Sequence, residues 1–343
     1  MTDISDGTAV QTAASAAPSG RRGRRQADVP ALVDGARKGE ARSVARLISL
    51  VEDASPALRE VAAALAPHTG HAQVIGLTGS PGVGKSTTTT ALVRALRAAG
   101  KRVGVLAVDP SSPFSGGALL GDRVRMQDHA GDSGVYIRSM ASRGHLGGLA
   151  WSTPQALRVL DAAGCDVVLI ETVGVGQSEL EIASLADTTL VLVAPGMGDG
   201  IQAAKAGILE VADLFVVNKA DRDGADQTVR DLRYMQSLGG RFAEPGHWRP
   251  PICKTVASRE TDTGIDKVLE KIEEHRSWLE SSGEGERRRT ERAAREIEAI
   301  ALATLRGRLG DVHGSKALHA LAGKVVAGAT DPYRASDELL DQL

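Results

Sequence analysis

The segment Gly79-Ser80-Pro81-Gly82-Val83-Gly84-Lys85-Ser86, with Thr87 after it, has the spacing G-x-x-x-x-G-K-S. Glycines at this spacing let a turn wrap its backbone N–H groups round an anion, and a helix that follows adds the positive end of its dipole. The lysine of such a loop bridges β- and γ-phosphates, and the next hydroxyl is a ligand for Mg²⁺. Lys85 and Ser86 therefore imply the binding and transfer of a nucleotide's terminal phosphate. An ordinary glycine-rich turn would need neither the lysine and hydroxyl nor the apolar strand in front.

A second run, Asp166-Val167-Val168-Leu169-Ile170, leads into Glu171-Thr172-Val173-Gly174. Loops that sense a γ-phosphate usually read D-x-x-G, with the glycine N–H on that phosphate, and Gly174 is expected there. Glu171 is one methylene longer than the usual Asp. It reaches Mg²⁺ through a water, positions the attacking water, or caps the following turn. A third run, Phe215-Val216-Val217, leads into Asn218-Lys219-Ala220-Asp221. Guanine presents N1–H and N2–H₂ side by side, and the Asp221 carboxylate can accept both; adenine lacks that pair. Asn218 is expected on the O6/N7 side, with Lys219 along the base. Val175 follows Gly174 directly, where Ras-like chains carry a water-orienting Gln, and Gln177 lies two residues further on. Hydrolysis by the isolated chain is therefore expected to be slow.

The elements that must position these residues read as alternating strands and helices. Short apolar runs begin near Val74, Val103, Val135, Val167, Thr189, Leu214 and Ile252, with helical stretches between most of them. This implies βαβ units in a doubly wound, mainly parallel α/β sheet, where ligands sit at the carboxyl ends of strands. Asp109, Asp122 and Asp199 follow such ends or glycine-rich loops, so they either approach the nucleotide or cap turns. Residues 1–28 read as an unstructured tail, 29–70 as a helical preface in two helices, 71–282 as the nucleotide domain and 283–343 as a helical arm. Gly283–Arg289 is read as a polar break. Beyond it Ile297, Ile300, Ala301 and Thr304 form one apolar stripe, and Leu302, Leu305 and Leu309 a second.

Composition narrows the class. Of 343 residues 42% are hydrophobic but only 3% aromatic, so the core must be mainly Val, Leu, Ile and Ala. A net charge of −2 provides no field for nucleic acid or membrane. The basic run Arg21-Arg22-Gly23-Arg24-Arg25 lies in the tail, and Asp3 and Asp6 argue against a transit peptide. Cys165 and Cys253 are far apart and adjoin apolar runs, as buried thiols would. No apolar stretch has the length of a membrane span, so a cytoplasmic protein is expected.

Together, Gly79–Thr87, Val108–Ser112, Leu120–Met126, Ser142–Gly148, the run Glu171-Thr172-Val173-Gly174-Val175-Gly176-Gln177-Ser178-Glu179 and Asn218–Asp221 resemble the MeaB/ArgK family, GTPase chaperones of cobalamin-dependent acyl-CoA mutases. The resemblance spans roughly residues 30–343. It implies a P-loop GTPase working on GTP with Mg²⁺, and adenosylcobalamin only through a partner mutase. It places Asp109, Asp122 and Glu171 round the metal and γ-phosphate, and makes Gly196 to Lys205 a third switch. That switch departs from the family's G-D-E-L-Q-G-I-K-K-G, reading Gly198-Asp199-Gly200-Ile201-Gln202-Ala203-Ala204-Lys205-Ala206-Gly207. Val256-Ala257-Ser258 stands where the family has its guanine-side S-A. A homodimer built with the C-terminal helices is also implied. A nickel-type metallochaperone GTPase and an ArgK-like amino-acid transport kinase are the competing readings. The scattered histidines and the lack of C-x-x-C weigh against the first.

Overall fold

Seven short runs rich in Val, Ile and Leu form one sheet: β1 (Gln73–Thr78), β2 (Val103–Asp109), β3 (Val135–Ala141), β4 (Val167–Thr172), β5 (Thr188–Val193), β6 (Leu214–Val217) and β7 (Ile252–Lys254). Their spatial order is β3-β2-β4-β1-β5-β6-β7, and every neighbouring pair runs parallel. The computed structural model describes residues 27–53, 55–109, 129, 131–141, 152–172, 178–196, 211–238, 246–309 and 315–341. Strands β1 and β4 lie at the centre and are buried along their whole length. That is why they read as continuous apolar runs and not as alternating ones.

Helices cover both faces. On one side α1 (Val29–Arg37), α2 (Ala41–Glu52), α3 (Leu58–Leu65), α5 (Thr153–Ala162) and α6 (Ser178–Leu185) pack over Val74, Leu106, Val108, Val168 and Ile170. On the other, α4 (Lys85–Ala98) and α8 (Ile265–Ser282) cover Ile75, Leu77, Val105, Leu169, Leu190 and Val216. The period of two sends neighbouring residues of one strand into different cores. Helix α7 (Ala225–Leu238) lies over Phe215 and Val217 near the β7 edge. The chain continues through α9 (Glu284–Leu309), α10 (Lys316–Val326) and α11 (Pro332–Asp341), the last two packed against each other.

Two helix boundaries differ from the sequence reading, and glycine sets both. The preface holds three helices, not two: Gly39, at φ +84°, ends α1 and turns the chain into α2. The expected polar break from Gly283 to Arg289 is a single residue. Gly283 closes α8 at φ +73° and α9 begins at Glu284. The charged residues after it are helical because they pair one turn apart, Arg287 and Arg288 both donating to Glu284. The hydrogen bonds and charges of these two arginines hold the Glu284 carboxyl down to about 2.

A repeated device sets strand register at the amino edge of the sheet. Asp166, Asp187 and Asp213 each stand directly before a strand, β4, β5 and β6. Each carboxylate accepts the N–H at the start of the neighbouring strand: Arg102 at 2.7 Å, Val74 at 2.9 Å and Thr189 at 2.8 Å. Two of the three also anchor α9. Arg288 donates to Asp213 at 3.1 Å and Arg292 to Asp187 at 2.8 Å. Further along, Arg158 of α5 grips Glu296 with both nitrogens, and Gln155 donates to the same carboxylate. His275 of α8, fully buried, stacks on Trp278 and places Nε2 3.3 Å from Asp213.

Burial opposes charge on Asp213. His275 and Arg288 beside it and the Thr189 amide outweigh it and hold the carboxyl below its usual range. A carboxyl depressed on folding contributes stability that is complete above its unfolded pKa of about 4 and is lost as pH falls through the folded value. Asp213→Asn should cost about 3 kcal/mol at neutral pH, because it leaves Arg288 without its buried partner. Urea unfolding at pH 7 and at steps below about pH 4 checks this: the gap between wild type and variant should hold down to about pH 4 and narrow as pH falls through the folded value.

Candidate functional site

The phosphate loop begins where central strand β1 ends, and each surrounding residue stands at the carboxyl edge of a neighbour. Glu171 and Thr172 end β4, Asp109 ends β2, Asn218 follows β6 and Thr255 follows β7. The loop needs glycine at two tight places. A side chain on Gly79, at φ +141°, would put its Cβ 2.3 Å from the Leu192 carbonyl oxygen. One on Gly84, at φ +97°, would sit 2.4 Å from Asn218 Nδ2. Ser80, Pro81 and Gly82 stay at the rim, Val83 is buried beneath them, and Thr87 is half-buried at the start of α4.

Lys85 is buried and donates from Nζ to the Gly79 carbonyl at 2.6 Å and the Ser80 carbonyl at 3.3 Å. Its ammonium is thus held within the loop at the helix N-terminus, where positive charge and N–H groups converge on one anion. The Ser86 hydroxyl donates to Glu171 Oε1 at 2.5 Å. Glu171 is 3% exposed, and its other oxygen, Oε2, faces Thr89 Oγ1 at 2.9 Å. Of the roles open to Glu171, the geometry shows a carboxylate clamped on the helix that carries Ser86. A serine whose proton is directed to a carboxylate presents oxygen lone pairs of the kind a hard cation takes, and the buried negative charge favours one.

The base-side residues form a second cluster. Asn218 is 3% exposed and joins three segments. Its Nδ2 donates to the Val83 carbonyl at 2.9 Å, while Oδ1 accepts from Thr255 Oγ1 at 3.2 Å and from the Ala257 amide at 3.1 Å. Asn218, expected from sequence on the guanine O6/N7 side, makes these hydrogen bonds to the protein and so ties the loop after β7 to the phosphate loop. Lys219 adopts φ +56° and lays its chain across the loop, donating to the Gly82 carbonyl at 2.7 Å. Its aliphatic stem is left as a wall for a flat base. Asp221 is exposed, as an acceptor for an incoming base must be. Val256 is half-buried, Ala257 buried and Ser258 exposed beside them.

Asp109 is placed by its backbone at the end of β2, two residues past Ala107, which pairs with Glu171. Asp122, Gly174 and Lys205 lie outside the described residues, as do Arg125, Val175, Gln177 and Asp199. Two contributors escaped the sequence reading, Thr89 and Thr255. The signal for Thr89 was a run of four threonines, Thr87 to Thr90, in a helix where β-branched residues are not favoured.

A parallel sheet with a phosphate loop on its central strand, and N-K-x-D at the same edge, defines the class: this is a P-loop GTPase. The solved crystal structure of a LAO/AO transport system kinase shares the fold, with a TM-score of 0.66, 27% identity, and coverage of 91% of this chain and 96% of that one. The chain belongs to the family described as Methylmalonyl Co-A mutase-associated GTPase MeaB, whose sequence profile matches residues 44–311. A relative in Pyrococcus abyssi that bears a GTPase name is 46% identical over 313 residues, covering 91% of this chain and 96% of its own. GTPase ArgK of Escherichia coli is 38% identical over 254 residues, 72% of this chain and 76% of its own. The mouse protein named Methylmalonic aciduria type A homolog, mitochondrial, is 34% identical over 333 residues, covering 92% and 80%. The chain hydrolyses GTP.

Replacing Asp221 by Asn removes the acceptor pair for guanine N1–H and N2–H₂. GTP binding should fall by roughly 10- to 100-fold, the scale of one lost charged hydrogen-bonding match, and xanthosine triphosphate should become the better ligand. Calorimetric titration of both proteins with GTP, ATP and XTP checks this. Equal affinity of the unaltered chain for ATP and GTP would contradict the base assignment.

Proposed function

We propose that this GTPase is a chaperone for a cobalamin-dependent acyl-CoA mutase of the methylmalonyl-CoA type, gating or protecting adenosylcobalamin loading on that partner. The observation that carries the reading is the match to a mutase-associated GTPase family over residues 44–311, which takes in the phosphate loop, Glu171, the N-K-x-D reader and α9. The name of the mouse relative, from methylmalonic aciduria, points the same way.

The hydrolytic cycle uses GTP with Mg²⁺, and the site's donor set fits such an ion. Ser86 would hold it, with Glu171 behind the hydroxyl and Asp109 and Asp122 completing the shell as the family resemblance implies. Bound there, the ion would supply positive charge to the terminal phosphate oxygens. Lys85 exchanges its loop carbonyls for those oxygens. The Gly174 amide contacts the γ-phosphate, and Lys205 is the third-switch group that the partner brings into the reaction. With Val175 directly after Gly174, where Ras-like chains carry a water-orienting Gln, hydrolysis by the chain alone is slow, and Asp122 or Arg125 of the first switch and Lys205 of the third would complete the site. Docking of the mutase supplies the missing order, so that hydrolysis reports the partner's state.

We further propose that residues 283–343 form the arm of a homodimer, beside a preface at 29–70 and a GTPase domain at 71–282, and that the protein works in the cytoplasm. Support for the arm comes from α9. Its first turns are pinned by Arg288, Arg292 and Glu296, yet Ile297 is 68%, Leu302 48% and Leu305 53% exposed beyond them. Val326 of α10 and Tyr333 of α11 are likewise exposed, at 90% and 85%. A second copy covering this surface accounts for it. Among the described residues no helix is long and apolar enough to cross a membrane.

Single-turnover GTP hydrolysis with and without a candidate mutase tests the chaperone reading. Slow turnover alone and at least about tenfold faster turnover with the mutase is expected, well within the range an ordering partner can supply. Lys205→Ala should abolish most of that gain. A mutase that binds without altering the rate would reject gating. For assembly, the double change Ile297→Glu and Leu305→Glu should sediment as a monomer that still binds GTP, whereas the unaltered chain sediments as a dimer.

A further inference from the structure

Helix α4 carries threonine at four successive positions after Ser86, and one of them has a contact that the fold does not require. Thr88 and Thr90 donate back along the helix to the Gly84 carbonyl at 2.9 Å and the Ser86 carbonyl at 3.0 Å. Thr89 faces two acceptors: the Lys85 carbonyl at 3.1 Å and Glu171 Oε2 at 2.9 Å. A hydroxyl has one proton to give. The nearer, charged acceptor takes it. Thr89 is fully buried, so nothing from solvent can replace it at that carboxylate oxygen.

Ser86 and Thr89 stand one helical turn apart on the same face of α4. The Glu171 carboxylate spans them, Oε1 on the serine and Oε2 on the threonine. An aspartate would end one methylene earlier. The strand cannot advance to compensate, because Glu171 is fixed in register against Leu77 of β1 and Ala107 of β2. The unusual Glu in the E-x-x-G sequence and the threonine at position 89 therefore form a matched pair. With Oε2 on Thr89, the carboxylate is oriented so that Oε1 receives the Ser86 proton.

We infer that Thr89 is a positioning residue for the metal end of the site: it locks Glu171, and Glu171 presents Ser86 to the cation that accompanies the nucleotide. The inference rests on the Mg²⁺ reading given above. It concerns metal affinity and leaves base recognition and the phosphate loop's own N–H groups untouched.

The test is a Mg²⁺ titration of binding to a fluorescent GDP analogue, followed without turnover, for wild type, Thr89→Val, Thr89→Ser and Glu171→Asp. Thr89→Val keeps the shape of the side chain and should raise the Mg²⁺ midpoint about tenfold or more, the usual consequence of losing an outer partner of a metal ligand. Its affinity for the analogue in EDTA should stay within about twofold of wild type, and Thr89→Ser should restore the Mg²⁺ midpoint. Glu171→Asp should show a comparable loss, and adding Thr89→Val to it should cost nothing more. A wild-type midpoint in Thr89→Val overturns the inference. So does an equal loss of binding in EDTA, which would mean general damage to the loop, and so do additive losses in the double variant. Nucleotide binding by the wild type that is indifferent to Mg²⁺ would instead overturn the metal reading itself.

Discussion

One buried amide holds the nucleotide edge together. Asn218 sits between the phosphate loop, the end of β6 and the loop after β7, and its side chain bonds to Val83, Thr255 and Ala257. Buried polar groups without partners are costly, so three segments that meet on one amide cannot move independently without exposing an orphaned donor or acceptor. Glycine at position 84 is the steric counterpart of this arrangement, since any Cβ there would displace the Asn218 amide. Lys219 adds a fourth tie, from the same segment to the Gly82 carbonyl. The residues that recognise the base and those that hold the phosphates are therefore one mechanical unit, although more than 130 residues separate them in the chain.

The two edges of the sheet divide the work. At the carboxyl edge the strands deliver functional groups, as parallel α/β folds do. The amino edge is a structural clamp, where Asp166, Asp187 and Asp213 fix neighbouring strands and two of them receive arginines from α9. The arm thus attaches to β5 and β6 at the end remote from the nucleotide, while the Asn218 segment leaves the opposite end of β6. The depressed, buried carboxyl of Asp213 makes its hold on Arg288 of α9 sensitive to acid.

Much of this was legible in the sequence because local chemistry and fold agree there. The G-x-x-x-x-G-K-S spacing, the apolar runs and N-K-x-D each specify a conformation within a few residues, and the parallel sheet follows from their alternation. What escaped was nonlocal or rested on single residues. Lys38-Gly39-Glu40 reads as continuous helix, since lysine and glutamate favour helices and one glycine costs only about 1 kcal/mol; its positive φ shows in the coordinates alone. The charged residues after Gly283 look like a linker until their pairing with each other and with Asp213 is seen. Asp187 and Asp213 did leave a trace, each following an alanine and opening a strand. Their partners lie 24 to 113 residues away, beyond the reach of any local pattern. Glu171 was marked as unusual, but its partner Thr89 could be found only across 82 residues of sequence. Asp122 and Lys205 stand on the family resemblance and Gly174 on the E-x-x-G spacing, and all three lie outside the described residues.

The central claim is that base recognition and phosphate binding share one support. It is tested most directly by measuring how Asn218→Ala binds a ligand with no base, magnesium tripolyphosphate, in parallel with GTP. Both affinities should fall, by about tenfold or more, because loss of the amide removes a buried support of Val83 in the phosphate loop as well as those of Thr255 and Ala257. Tripolyphosphate binding at the wild-type level, with only the preference for GTP lost, would contradict the account and confine Asn218 to reading guanine.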